Sequence, residues 1–476
     1  MKKKIIIATI VVGAVLAIGI GMIFMGNGVD KNSPQVIQEG KKLAKAKDVE
    51  TYVDNAFKMY KKHGPMSNDV WKGYDLKEKN IIVGERDNKT DKVVKAWLLT
   101  QTDKKELTKD EMKGINFPSA GGYSPIKFEN KEGIVMSINK GLIPMLSFMN
   151  FNYIYDVAVH EMYHFYGDNM EKYDEVVKDG ANNNERYTAF PKEVMPRVYR
   201  KMIYDNLVLA YENPTDEKIY LGKAKYWNEK WGKEYLDEYK QANITDIAEG
   251  KARYIEYLMC IDYKGISDKE KIESIKYLFN KETEVFEGSD DESYELGFVS
   301  GVLLDKSNPN WKKEIDENPQ RPVEMILKDV KAVKDDSDHY DKVLKKANSQ
   351  INKSNKKIEN KIKNIKDAEN DKNIPLLQLN NKLMNGSYTT SDFIEYEGKV
   401  VIVDFGATFK NDNGSAKIDG VSSYVLKEQE GIYNLPLTMK YKFENNRLII
   451  DQKGVKVDAK VKETKNSDGR TVYIME

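Results

Sequence analysis

The chain has 476 residues, room for two or three domains of ordinary size. Its 40% apolar and 32% charged residues describe a globular protein with a well-solvated surface and exclude a disordered one. Lysine plus arginine equals aspartate plus glutamate at 76 each, so a nucleic-acid partner, which asks for a basic excess, is not expected. The single cysteine, Cys260, excludes an intrachain disulfide and any cysteine-based zinc or iron–sulfur cluster, and it is expected to be a buried, inert thiol. His63, His160, His164 and His339 are the whole supply for an imidazole metal site.

In chain order, Met1 is followed by three lysines and then by 21 residues, 5–25, that carry no charge. As a helix that run is about 31 Å long, the thickness of a bilayer core. The lysines keep the N-terminus cytoplasmic, so residues 1–26 are expected to be a single-pass membrane anchor with the bulk of the chain extracytoplasmic. A cleaved signal peptide would have a shorter apolar region ending in small residues, and Ala17-Ile18-Gly19, the nearest such sequence, lies inside the run. No cysteine follows it, which excludes a lipoprotein. The wealth of Lys, Asn and Ile and the lack of disulfides suit a bacterial surface protein.

Residues 27–70 read as a helical lead segment, with Val36, Ile37, Leu43, Val49, Tyr52, Val53 and Phe57 at three- and four-residue steps and Gly64-Pro65 as the stop. His63 is expected as an exposed histidine in the last turn, favoured by the helix dipole. Strands are expected at 81–83, 93–99 and 134–138. A helix follows over 151–166, broken at Gly167, and further helices over 194–211, 217–240, 244–260, 269–286 and 293–305. Residues 334–384 read as a charged helical linker with a thin apolar stripe of Ile351, Ile358, Ile362 and Ile365 and a solvated His339. From 385 to 476 the period changes to two, with strands at 399–404, 422–426, 437–443, 448–451, 455–461 and 471–475. Turns fall at Asn413-Gly414, Asn445-Asn446, Lys453-Gly454 and Asp468-Gly469. This is a small all-β domain, sandwich or open barrel.

The chemistry concentrates in Val157-Ala158-Val159-His160-Glu161-Met162-Tyr163-His164, an H-E-x-x-H sequence on an expected helix. His160 and His164, four apart, project from one face and can share one metal ion. Glu161 is rotated about 100° from His160, beside the metal rather than on it, where it can act as general base toward a water. Neutral imidazole suits zinc, and a catalytic zinc site needs three protein ligands and an open position. A metzincin would have a histidine where Met170 stands, and no histidine occurs between His164 and His339, so a carboxylate must complete the site. Asp168 is close in sequence, as ligand or as an acceptor for an imidazole N–H, and the segment 244–256 carries further acids. There Thr245 or Asp246 can cap a helix, and Gly250 and Ala252 would let it approach the motif helix closely.

Glu249-Gly250-Lys251-Ala252-Arg253-Tyr254-Ile255-Glu256, an E-G-x-A-x-Y-x-E helix downstream of H-E-x-x-H, resembles the gluzincin metallopeptidases. The resemblance makes Glu249 the third zinc ligand, Glu256 a structural acid on the same helix, and a tyrosine such as Tyr294 a donor to the oxyanion, with Tyr254 and Tyr163 as lesser candidates. The 84 residues between His164 and Glu249 exceed the spacing of thermolysin-like enzymes, and no G-x-M-E-N exopeptidase signature occurs. The segment between holds what look like two helical insertions, around 196–202 and 224–227. With the later Tyr294-Glu295-Leu296-Gly297, this order resembles uncharacterised bacterial surface gluzincin-like proteins over about residues 70–330.

The expectation is an α+β chain: an anchor (1–26), the lead segment (27–70) and a zincin-like catalytic domain (71–333) with a small mixed sheet, active-site helix and helical subdomain. The linker (334–384) and the β domain (385–476) follow. One Zn2+ on His160, His164 and Glu249, with Glu161 as base and Tyr294 at the oxyanion, implies a zinc peptidase of peptide or protein substrates. The strand at 133–139 is placed to edge the cleft, where an extended peptide can pair. Two other classes fit the same residues. One is a surface binding or sensor protein on an idle zincin scaffold, its β domain recognising cell wall or a protein ligand. The other is a zinc hydrolase of a non-peptide substrate.

Overall fold

Asp48 divides the lead segment, because its side chain accepts from the Thr51 N–H at 2.8 Å and starts a second helix. The expected single helix is therefore two, α1 (Gln35–Ala44) and α2 (Val49–His63). Gly64 stays right-handed at φ −52° and leads into a short 3-10 turn, so His63 is turned inward. It is buried, not exposed as its position in the last turn suggested, and its ring packs edge-on to Tyr155. The computed structural model describes residues 33–168, 172–173, 188–279, 291–385, 388–429 and 431–475. The expected anchor at 1–26 lies outside the described residues, and no described helix is long and apolar enough to cross a membrane.

A small mixed sheet follows, built from β1 (Asn80–Arg86), β2 (Val93–Leu99), β3 (Lys104–Glu106), β4 (Tyr123–Phe128) and β5 (Lys131–Asn139). The order is β3-β2-β1-β5-β4, with β1 and β5 parallel and the other pairs antiparallel. The apolar run in β1 is explained by burial on both faces. Ile81 and Val83 enter the main core, and Ile82 enters a smaller one with Leu98 and Val135. β5, expected at the edge, lies between β1 and β4. The edge strand is β4, which carries Pro125, a residue confined to such positions because it lacks an N–H.

Then come α3 (Tyr153–Met162), running on into a π turn at Tyr163–Gly167, and β6 (Thr188–Ala189). The helical part contains α4 (Val194–Glu212), α5 (Glu217–Glu234), α6 (Leu236–Cys260), α7 (Asp268–Leu278), α8 (Asp291–Ser307), α9 (Trp311–Glu317) and α10 (Pro322–Leu327). One core runs from α2 and the inner face of the small sheet through α3, α4, α6 and α8. Because α6 begins at Leu236, Thr245 and Asp246 are interior residues and not caps. Gly250 serves a different crossing from the expected one. A Cβ on Gly297 would stand 2.0 Å from the Gly250 Cα, so the two glycines let α6 and α8 touch backbone to backbone.

α11 (His339–Lys361) and α12 (Lys363–Asn370) lead to the second sheet, in which Leu376–Asn380 (β7) is already a full member ahead of residue 385. Its other strands are β8 (Asp392–Tyr396), β9 (Lys399–Val403), β10 (Ala407–Asn411), β11 (Gly414–Ile418), β12 (Ser423–Leu426), β13 (Ile432–Pro436), β14 (Lys442–Glu444), β15 (Arg447–Gln452), β16 (Val455–Lys465) and β17 (Thr471–Met475). The order is β10-β11-β16-β17-β7-β13-β12-β9-β8-β6, with β14 and β15 attached to β16. The long β16 pairs with β11 and β15 in its first half and with β17 in its second. Alternate residues face two cores. Ile402, Tyr473 and Leu377 enter the inner one, while Val401, Val403 and Val472 meet Ile358, Ile362 and Ile365. α11 is thus packed along its length, with Val343, Ala347 and Ile351 in the main core and Ile358 against the sheet. His339, at its start, is half exposed and bonded to Asp205 at 2.7 Å.

Candidate metal centre

Three donor atoms converge where α3 passes α6. His160 Nε2 and Glu249 Oε2 are 3.0 Å apart, His164 Nε2 and Glu249 Oε2 3.3 Å, and the two imidazole Nε2 atoms 3.1 Å. The sequence builds this locally. Asn152 caps α3 by accepting from the Ile154 N–H and anchors its start by donating to the carbonyls of Leu43 and Tyr52. The Tyr74 hydroxyl donates to the Val159 carbonyl at 2.7 Å, just before the motif. The helix then widens into the π turn, a distortion common at functional sites, where the Asp168 N–H donates to the Tyr163 carbonyl. Gly167 permits it, because a Cβ there would meet the Tyr163 ring at 2.6 Å.

Glu256 lies seven residues, about two turns, beyond Glu249 and so on the same face of α6. Its carboxylate is 2.8 Å from His160 Nδ1 and also pairs with Arg253. An ionised Glu256 requires the proton on Nδ1, which leaves the Nε2 lone pair directed at Glu249 and His164. Burial raises the Glu256 carboxyl, but the Arg253 guanidinium and His160 outweigh it and keep it below its ordinary value. Beneath lies Asp156, pushed well up by burial and the neighbouring Glu256, with the Cys260 thiol donating to it at 3.3 Å. Cys260 is buried, as expected.

Electrostatically the cluster asks for positive charge. Burial would lower His160, yet the hydrogen bonds it makes to the Glu249 and Glu256 carboxylates lift it to about 10, and Glu249 likewise raises His164. Burial pushes Glu249 up, but the two imidazoles hold it well below the usual carboxylate range. A divalent cation answers that demand with both imidazoles neutral. The donor geometry fits one. A tetrahedral zinc with ligands at about 2.0–2.1 Å needs donors roughly 3.3–3.4 Å apart, a few tenths from those present. Among the described residues these three are the only group that meets the distance requirement for holding a metal ion. Their side chains are 8%, 16% and 25% exposed for His160, His164 and Glu249, so the cluster is partly accessible to solvent.

Glu161 sits beside the cluster, raised by burial against the pull of both histidines. Tyr294 is brought in as well, its ring edge-on to His160 with centroids 5.5 Å apart and the Arg253 guanidinium 4.5 Å from its centre. Asp168 lies outside the three-donor group. It is held by Lys251 at 2.6 Å and by the Tyr173 hydroxyl, so it braces the π turn against α6. Tyr254 donates to Asp305 instead of reaching the site, and Tyr163 is core. No protein-family model, curated protein or solved structure matches this chain.

Proposed function

We propose that the chain is a zinc-dependent peptidase of the gluzincin type on a zincin-like scaffold, carried outside the membrane by the anchor at residues 1–26. The observation that supports it best is the set of three partly exposed donors, His160, His164 and Glu249, with a carboxylate, Glu161, near both histidines. A structural zinc site closes all four positions with protein ligands and has no use for a general base. Zinc bound here would supply Lewis acidity toward a water and a scissile carbonyl. Glu161 takes the proton of the attacking water and returns it to the leaving amine, a double task that suits a carboxyl raised by burial. The Tyr294 phenol stabilises charge on the carbonyl oxygen. Glu256 fixes the tautomer of His160. The edge strand β4 offers an extended peptide a place to add to the sheet. The β domain is left to hold cell wall or a protein ligand.

The test is metal content and turnover together. The purified chain should hold one zinc, and Glu161→Gln should keep it while peptide hydrolysis falls by about 10²–10⁴. Undiminished hydrolysis in Glu161→Gln would sink the mechanism. Zinc without turnover of any peptide would point to a binding or sensor protein on an idle scaffold, and turnover of other substrates alone to a different hydrolase.

A further inference from the structure

Four contacts close a ring around His160. Its Nδ1 stands 2.8 Å from Glu256, and Glu256 pairs with Arg253. The Arg253 guanidinium lies over the Tyr294 ring, 4.5 Å from its centre, and that ring stands edge-on to His160 at 5.5 Å. Arg253 is the fixed cation of this ring. It follows Glu249 by four residues and precedes Glu256 by three, so α6 carries all three along one face. A second aromatic ring, Tyr257, has its centre 4.8 Å from the guanidinium. The Arg253 side chain is only 20% exposed, and a cation withdrawn from water is held more strongly by a ring face than a solvated one.

The backbone around Tyr294, fourth residue of α8, is set by its neighbours. Glu292 takes Arg197 and Arg200, and the Ser293 hydroxyl donates to Asp246 at 2.6 Å. One turn on, Gly297 meets Gly250 and brings α8 against α6. The Tyr294 ring itself is only partly buried, so its orientation depends on what lies against it. We propose that Arg253 is a positioning residue for Tyr294: lying over the ring and tied to Glu256, it keeps the phenol in register with His160. This rests on the peptidase reading of the site. The planar guanidinium can face a ring and donate to a carboxylate at once, which the point charge of a lysine on its flexible stem does not reproduce. Misplacement of a catalytic group by an ångström costs about a hundredfold.

Arg253→Lys keeps a cation beside Glu256 and removes the fork. In the full-length protein it is expected to keep its zinc and its KM for a peptide substrate while kcat falls about ten- to a hundredfold. In a Tyr294→Phe background it should lower kcat no further, because two residues that act as a unit are not additive. A second cycle needs no turnover: in metal-free protein, Arg253→Met and Tyr294→Leu together should shift the urea midpoint less than the sum of their separate shifts. Wild-type kcat in Arg253→Lys, or additive losses in either cycle, overturns the inference. So does an Arg253→Lys chain that fails to fold, which would make the guanidinium a core residue. A wild type without peptidase activity, or full activity in Tyr294→Phe, sinks the functional reading instead, and the urea cycle still decides the pairing.

Discussion

Asp246 and Glu249 stand three residues apart on one helix, and their surroundings differ in kind. Asp246 is almost fully buried and saturated with cations and donors. Arg200 reaches it at 2.6 and 3.0 Å, Ser293 at 2.6 Å and Arg321 at 3.4 Å. Glu292, also buried, takes Arg197 and Arg200. Glu249 meets two imidazoles, which are neutral or cationic as the site requires, and its side chain is a quarter exposed. The same chemical group is closed in one turn by fixed charge and left open in the next. The first arrangement locks α4, α6, α8 and α10 together, and the second leaves a demand for charge that a ligand must meet. A carboxylate on a helix therefore says little until its counter-ions are known.

The contrast can be broken by exchange of roles. Asp246→Ala should have the largest effect, a loss of about 3–5 kcal/mol in urea unfolding, because it strips a partner from buried guanidinium groups. Any fraction that folds should bind zinc normally. Glu249→Ala should do the reverse, weakening zinc at least about a hundredfold by competition with a chelator, or about 3 kcal/mol, with a clearly smaller loss of metal-free stability than Asp246→Ala. Equal effects of the two on stability would erase the distinction.

Two histidines sharpen it further. The carboxylates beside His160 lift it, whereas burial holds His63 down at about 4, with Asp262 no nearer than 4.0 Å. As pH falls below 6.5 the unfolded chain takes up the His63 proton before the folded one does. The stability it contributes is complete above that pH and drains away toward pH 4, by up to about 3 kcal/mol. Urea midpoints for wild type and His63→Phe should diverge across that window; parallel curves would mean that His63 keeps its ordinary pKa. The smallest effect belongs to spacing. Gly297→Ala, which forces α8 away from Gly250, should cost about 1–3 kcal/mol and lower zinc affinity as Glu249 shifts, whereas a surface Ala such as Lys313→Ala should do neither.

What could be read from the sequence was local. The four-residue step of His160 and His164 is a helix property, and the two do meet. The turns at Asn445-Asn446, Gly454 and Gly469 take the left-handed conformation that their residue types favour. Readings that needed the third dimension went astray. Asp168, the lesser alternative for the third ligand, is near in sequence, but the π turn carries it to Lys251. Gly250 adjoins Glu249 yet is turned about 100° around the helix, so it serves the α8 crossing. β4 was missed because Pro125 and polar residues hide an edge strand. A strand ending in Pro436 was likewise passed over in favour of the segment after it. Glu249 was reached only through resemblance, since nothing local marks a carboxylate 85 positions from its partner.

α11 and β6 have a consequence for modularity. The helix has one end among the residues around α4 and the other under the second sheet, and Thr188–Ala189 pairs with β8 while Lys192 is tied to Asp392 and Asn355. A recombination that swapped the C-terminal sheet at the change of composition near residue 385 would leave β7 behind, strip β8 from Thr188–Ala189 and expose Ile358 and Ile362 to water. The chain's composition suggests beads on a string, but its exchangeable unit is larger than either bead, and a graft that succeeds must carry the 188–192 strap and the whole of α11 with the sheet.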